Sequence, residues 1–208
     1  MPPNTDRLAL LGLARLIESR EDATGRHVDR IAEFSLLLAR EFNRTATPDD
    51  RQIIGEANEF AEAAMLHDIG KVCIPDAILL KPGKLTAAEF EAVKSHTVHG
   101  SIVVASDSLS LFHRLAREIT RSHHEKWDGA GYPDGLKGAA IPLAARIVAV
   151  ADAYDALASG RCYKPATTHE RSIEIIARAA GAHFDPSLVE CLLSIATEFN
   201  AVRQKLAS

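Results

Sequence analysis

Residues 141–159, IPLAARIVAVADAYDALAS, decide the fold class. Pro142 suits the first turn of a helix, where its missing N–H costs nothing. The apolar residues after it recur at three and four, the period of a half-buried helix, and alanine keeps the segment helical. Downstream, Thr167-Thr-His-Glu170 and Asp185-Pro186 read as the starts of two further helices. Upstream, Leu109, Phe112, Leu115 and Ile119 trace a helix running into His123-His124, and Thr86-Ala-Ala-Glu89 is a capping box opening another. Thr47-Pro48-Asp49 reads as a cap with proline at the first helical position. Val28, Ile31, Leu38 and Phe42 mark a helix, as do Leu8, Leu11 and Ile17, the latter ending between Glu18 and Asp22. Strand signals are almost absent. The expectation is an all-α bundle of roughly seven to nine helices. The chief interruption is a loop from Asp128 to Pro142 holding four glycines and two prolines, and loops of that length are usually functional or mobile.

The 208 residues carry 24 Lys+Arg against 28 Asp+Glu, a formal charge of −4. A chain of this size can bury one substantial core, so a single domain over residues 1–208 is expected. No receiver or sensor domain is expected before Leu8, so the chain is either a stand-alone unit or a fragment of a longer protein. Mild acidity argues against duplex nucleic acid as the principal partner. Cys73, Cys162 and Cys191 have no metal-like spacing and cannot all pair, which points to a reducing compartment and a cytoplasmic protein. No apolar run reaches the roughly 18 residues of a membrane span.

Nine histidines stand out. His67-Asp68 comes first. Adjacent helical residues point about 100° apart, so this pair cannot grip one ion as an i, i+4 pair does. It can serve two ions if His67 faces one and Asp68 bridges both; the alternative is a buried histidine satisfied by a carboxylate. His123-His124-Glu125 forms a second cluster beside the glycine-rich loop, and His27, His96 and Asp152 lie on three other helices. Imidazole and carboxylate without thiolate accept iron, manganese, zinc or nickel, and iron or manganese is the expected pair. Five elements converging on one centre would make a two-metal site, a common device for in-line displacement at phosphorus.

With these residues in view, HDIGK (67–71), HHEKWDGAGYPDGLKG (123–138) and IPLAARIVAVADAYDAL (141–157) resemble the signature of the HD-GYP phosphodiesterases, bacterial enzymes that hydrolyse cyclic di-GMP. ESREDATGRHVDR (18–30), KPGKLTAAEFEAVKSHTVHG (81–100), SGRCYK (159–164) and GAHFDP (181–186) extend the resemblance. It implies metal ligands at His67, Asp68, His96, His123, His124 and Asp152, with Asp68 bridging two ions that share a water or hydroxide. Such a water has a strongly lowered pKa and would attack phosphorus in line. His27 matches a histidine used by members with a third metal. Lys71 corresponds to a lysine near the scissile phosphate, Arg161 and Lys164 to residues holding the substrate's phosphates, and Tyr132 to the loop's contact with substrate.

One position departs from the family. Members with three metals usually carry glutamate four residues before the first histidine, where this chain has Ala23. Glu21 and Asp22 are out of register. The expectation is therefore two metals, a secondary role for His27, and a reaction ending at linear pGpG rather than GMP. Other readings are hydrolysis of cyclic GMP-AMP or another nucleotide, and a catalytically weak module that binds protein partners through the loop. A homodimer is compatible with the sequence but not specified by it. Glu125 reads either as orienting a ligating imidazole or as a surface carboxylate, and Trp127 as stacking a guanine or capping the core. His99 reads as packed or capping, and His113, His169 and His183 as surface, capping and loop residues.

Overall fold

The computed structural model describes residues 5–20, 26–45, 57–106, 110–159 and 166–206. Thr47-Pro48-Asp49, Ala23, Cys162, Arg161 and Lys164 lie outside them. Eleven α-helical segments follow in order: α1 (Thr5–Glu18), α2 (His27–Thr45), α3 (Ala57–Ala64), α4 (Asp76–Leu79), α5 (Ala87–Lys94), α6 (His96–Val103), α7 (Leu111–Ser122), α8 (Leu143–Ala158), α9 (His169–Arg178), α10 (Pro186–Ser194) and α11 (Ala196–Lys205). Two 3-10 turns, Ile69–Cys73 and Gly138–Ala140, complete the described residues, which hold no strand beyond an isolated bridge between Ala180 and Phe184. The all-α architecture holds. Among the described residues the segments outnumber the roughly seven to nine expected helices: α4 is a single turn, and Ser95 and Ile195 each separate two helices that follow one another directly.

The helix starts follow their local chemistry. Thr86 accepts from the Glu89 N–H at 3.2 Å while Glu89 accepts from the Thr86 N–H at 2.7 Å, the reciprocal capping box. Thr168 caps α9, and Asp185 accepts from the Ser187 N–H with Pro186 in the first turn of α10. These bonds satisfy N–H groups that no preceding turn can reach.

The core forms where α2 packs against α3, α8, α10 and α11. Phe34 stacks on Phe199 at 4.7 Å and meets the edge of Tyr154 at 5.0 Å, all three fully buried. Ile147, Val148, Val150 and Ala151 of α8 join Leu115 and Ile119 of α7 in the same apolar cluster. Burying such side chains contributes about 1.5–3 kcal/mol apiece. Alanines 144, 145 and 151 are small enough to let the neighbouring helices approach closely.

The packing also carries the polar positions into one region. The 3-10 turn of IGKVC lies against α6 and α1, and α6 lies against α7. Gly70 makes the first approach possible: a Cβ there would come within 1.9 Å of the His96 carbonyl oxygen. Arg20, just after α1, donates to the carbonyls of Lys71 and Ile74, each at 3.2 Å, and ion-pairs with Asp76.

Candidate metal centre

His27 opens α2, His67-Asp68 follows α3, His96 opens α6, His123-His124 follows α7, and Asp152 sits mid-α8. Asp68, His96, His123 and His124 place one ligand atom each within 4.8 Å of one another, and so do His27, His67 and Asp152. The two groups adjoin, because His67 Nε2 is 3.3 Å from Asp68 Oδ2.

The rings are aimed by backbone carbonyls. Nδ1 of His67 faces the Ala64 oxygen at 3.2 Å, Nδ1 of His96 the Val93 oxygen at 2.7 Å, and Nδ1 of His123 the Ile119 oxygen at 3.0 Å. A carbonyl only accepts, so each Nδ1 carries the proton and each Nε2 of a neutral ring carries a lone pair. The Nε2 atoms of His96 and His123 lie 3.5 Å apart, and 3.2 and 3.6 Å from Asp68 Oδ1. That oxygen is buried and has no hydrogen-bond partner. Acceptors crowded on an acceptor in a buried site are unfavourable unless a cation joins them. The donor set therefore fits a divalent ion, with imidazole and carboxylate as its ligands.

Charge is organised in the same sense. Burial alone would raise Asp68, but the Lys71 ammonium, 2.8 Å from Oδ2, and His67 hold it well below the usual carboxylate range. Burial works against a charged His67, yet the Asp68 carboxylate prevails and pushes it up to about 9. In the metal-free protein a proton thus stands between these two groups where a cation fits. Burial pushes His123 and His124 down, keeping both rings neutral and able to bind metal.

The glycine-rich loop closes one side. Tyr132 stacks on His124 with ring centres 4.9 Å apart, and the Lys94 ammonium lies 5.5 Å from the centre of its ring. Burial first, then the Asp68 and Asp152 carboxylates, push its hydroxyl up, so it stays protonated at neutral pH. Glu125 has a role that neither sequence reading anticipated. Buried behind the histidines, it accepts from the N–H of Asp134 at 2.7 Å and of Leu136 at 3.1 Å. Arg121 grips the Asp134 side chain through two bonds of 2.7 and 2.8 Å. Gly131 is demanded by the same fold-back, since a Cβ there would come within 2.3 Å of the Lys126 nitrogen. Trp127 donates its backbone N–H to the His183 carbonyl, and its ring lies 5.7 Å from the Arg146 guanidinium.

Of the remaining histidines, His99 faces Ser95 at 3.4 Å, His169 takes the Tyr154 hydroxyl at 2.7 Å, and His183 stacks on Phe184. His113 is not on the surface: it is buried and bonded to Ser110 at 2.7 Å. Sequence reasoning missed Glu18, a buried carboxylate at the end of α1, raised by burial against the opposing pull of the nearby His67 and Lys71. It also missed Arg30 and Asp155, which contact each other beside His27.

The chain matches the HD domain family over residues 12–188. It is 43% identical over 208 residues to a cyclic di-GMP phosphodiesterase of Vibrio cholerae, covering 95% of this chain and 41% of that protein. It is 41% identical to a 3′3′-cGAMP-specific phosphodiesterase of the same organism, covering 97% of this chain and 37% of that one. A cyclic di-GMP phosphodiesterase of Thermotoga maritima is 41% identical, with 93% and 50% covered. The chain thus spans about half the length, or less, of the curated relatives it matches. Among solved structures, a cyclic GMP-AMP phosphodiesterase of V. cholerae superposes with a TM-score of 0.63 at 16% identity, covering 98% of this chain and 53% of the other, a likeness of fold. Matched along most of its length and carrying both the HDIGK turn and the GYP loop, this chain belongs to the HD domain family, in its HD-GYP branch.

Proposed function

We propose that this chain is a metal-dependent phosphodiesterase that hydrolyses cyclic di-GMP to linear pGpG. The observation carrying the reading is the buried, unbonded Oδ1 of Asp68, with imidazole nitrogens of two further helices turned towards it. His96, His123 and His124 would hold one ion and His27, His67 and Asp152 a second, with Asp68 between them. Two ions, iron(II) or manganese(II) before zinc or nickel, would supply Lewis acidity and a hydroxide nucleophile near neutral pH.

The chain's own residues do the rest. Lys71 keeps a positive charge beside Asp68, where it can neutralise the equatorial oxygens of a phosphodiester. Tyr132 offers a protonated hydroxyl on the loop side. Arg161 and Lys164 would hold the substrate's phosphates. The loop exposes Asp134 and Gly135, a surface that protein partners can reach, and the reading also includes a homodimer. Among the described residues no helix is long and apolar enough to cross a membrane; the proposal places the enzyme in the cytoplasm, where its second-messenger substrate would be. A second substrate, cyclic GMP-AMP, is favoured by the 41% identity to a relative specific for it.

The test incubates the protein, loaded anaerobically with iron(II) or manganese(II), with each cyclic dinucleotide and resolves the products by chromatography. The reading expects pGpG from cyclic di-GMP and none from Asp68→Ala. Exclusive turnover of cyclic GMP-AMP would replace the substrate. Absence of turnover with metal bound would leave a binding module. A reaction that stops at pGpG supports two ions; passage to GMP supports a third.

A further inference from the structure

His27 and Arg30 lie one turn apart on α2, and Asp152 and Asp155 one turn apart on α8, so each helix turns two polar side chains to the other. Asp155 is buried. Its Oδ2 lies 2.7 Å from His27 Nδ1 and 3.0 Å from Arg30 Nη2, and its Oδ1 accepts from Arg30 Nε at 2.6 Å and Ser159 Oγ at 3.1 Å. Both oxygens are engaged, and Asp155 falls outside both groups of converging ligand atoms. A carboxylate facing Arg30 is ionised and can only accept. The proton between it and His27 therefore belongs to Nδ1, and His27 Nε2 presents a lone pair 3.4 Å from His67 Nε2 and 3.8 Å from Asp152 Oδ1.

We infer that Asp155, locked by Arg30 and Ser159, is a positioning residue that fixes His27 as a full ligand of the ion held by His67 and Asp152. The inference rests on the metal-centre reading and deepens it. The sequence demotes His27 because glutamate is missing at position 23; the geometry supplies an orienting partner from another helix instead. Carboxylates that orient a ligating imidazole commonly contribute about 10–100-fold to metal affinity.

The experiment titrates manganese(II) alone into the full chain and into folded Asp155→Asn and Asp155→Ala, following bound and free ion by electron paramagnetic resonance. The expected result is about 10–100-fold weaker binding at one of two sites in Asp155→Ala, the other site unchanged, with a smaller loss in Asp155→Asn. A purely structural role would lower thermal stability without separating the two affinities. Should neither variant fold, ¹⁵N NMR of the metal-free wild type decides: the His27 signature must be that of the Nδ1–H tautomer. Wild-type affinities in the folded variants, or an Nε2–H signature, overturn the inference while leaving the metal centre standing. A wild type that binds no manganese overturns both.

Discussion

Gly70 meets the backbone of Gly100 so closely that a Cβ added to Gly70 would come within 2.4 Å of the Gly100 nitrogen, as well as 1.9 Å from the His96 carbonyl. The turn carrying Asp68 and the helix carrying His96 are thus in backbone contact. Gly70→Ala is expected to force them apart. Overpacking of this kind costs about 1–3 kcal/mol, and in a domain of this size each kcal/mol lowers Tm by about 2–4 °C. Calorimetry of the metal-free protein checks this, and manganese titration should show weakened binding at the site containing His96. An unchanged Tm would mean that the turn can slide without cost.

Lys71 holds its charge 2.8 Å from Asp68 yet is not a metal ligand. Lys71→Met should leave the bound-metal stoichiometry intact and lower kcat by about 10²–10³-fold, the usual cost of removing one preorganised donor from a transition-state oxyanion. Metal analysis alongside steady-state kinetics separates the two effects. Loss of metal from the variant would reassign Lys71 to holding Asp68 in place.

His67 gives a pH signature. Its pKa in the folded metal-free protein is raised to about 9 from an ordinary value of about 6.5. A raised pKa contributes stability that is fully present below the unfolded value and is lost as pH rises through the folded one. The metal-free Tm should therefore fall between about pH 6.5 and 9. A metal must displace that proton, so manganese affinity should rise about tenfold per pH unit across the same window and level off above it. A flat affinity from pH 7 to 8.5 would show that His67 is neutral without metal.

Glu125 ties the loop through two backbone bonds. Hydrogen bonds to a charged group contribute about 1.5–3 kcal/mol each, so Glu125→Ala should free residues 132–137 more than it unfolds the bundle. Limited proteolysis should cut there first, with KM rising more than kcat falls. Cleavage elsewhere would place the Glu125 contribution in the core.

Much of the architecture is legible in the chain because helical periodicity is a local property. Thr86 with Glu89, or Pro142 before an alanine-rich run, carries its meaning within one turn. The candidate ligands were legible for a different reason, since His67-Asp68, His123-His124 and Asp152 match a motif set. What stayed hidden depends on contacts between distant segments. Gly70 and Gly100 stand 30 positions apart, and Asp155 meets His27 across 128 residues. The i, i+3 spacing of Asp152 and Asp155 was a usable signal, but an alanine-rich helix offers no hint of which face meets Arg30. Glu125 failed for a third reason: its partners are the N–H groups of Asp134 and Leu136, and no side-chain pattern marks a backbone donor. His113, read as a surface residue, is buried instead, because Ser110 satisfies its ring.

The loop's stitching bears on how a dinucleotide would be selected. Its root is fixed where Trp127 and Asp128 donate N–H groups to the carbonyls of His183 and Ala182. Its tip is held from both sides of Asp134, by Arg121 on the side chain and Glu125 on the backbone. Those anchors come from the end of α7 and the residues just past it, the same stretch that presents His123 and His124. Loop and imidazoles consequently travel as one body. A segment so bound is a wall rather than a gate, and in the proposed reaction it would sort ligands by a shape that exists before they arrive.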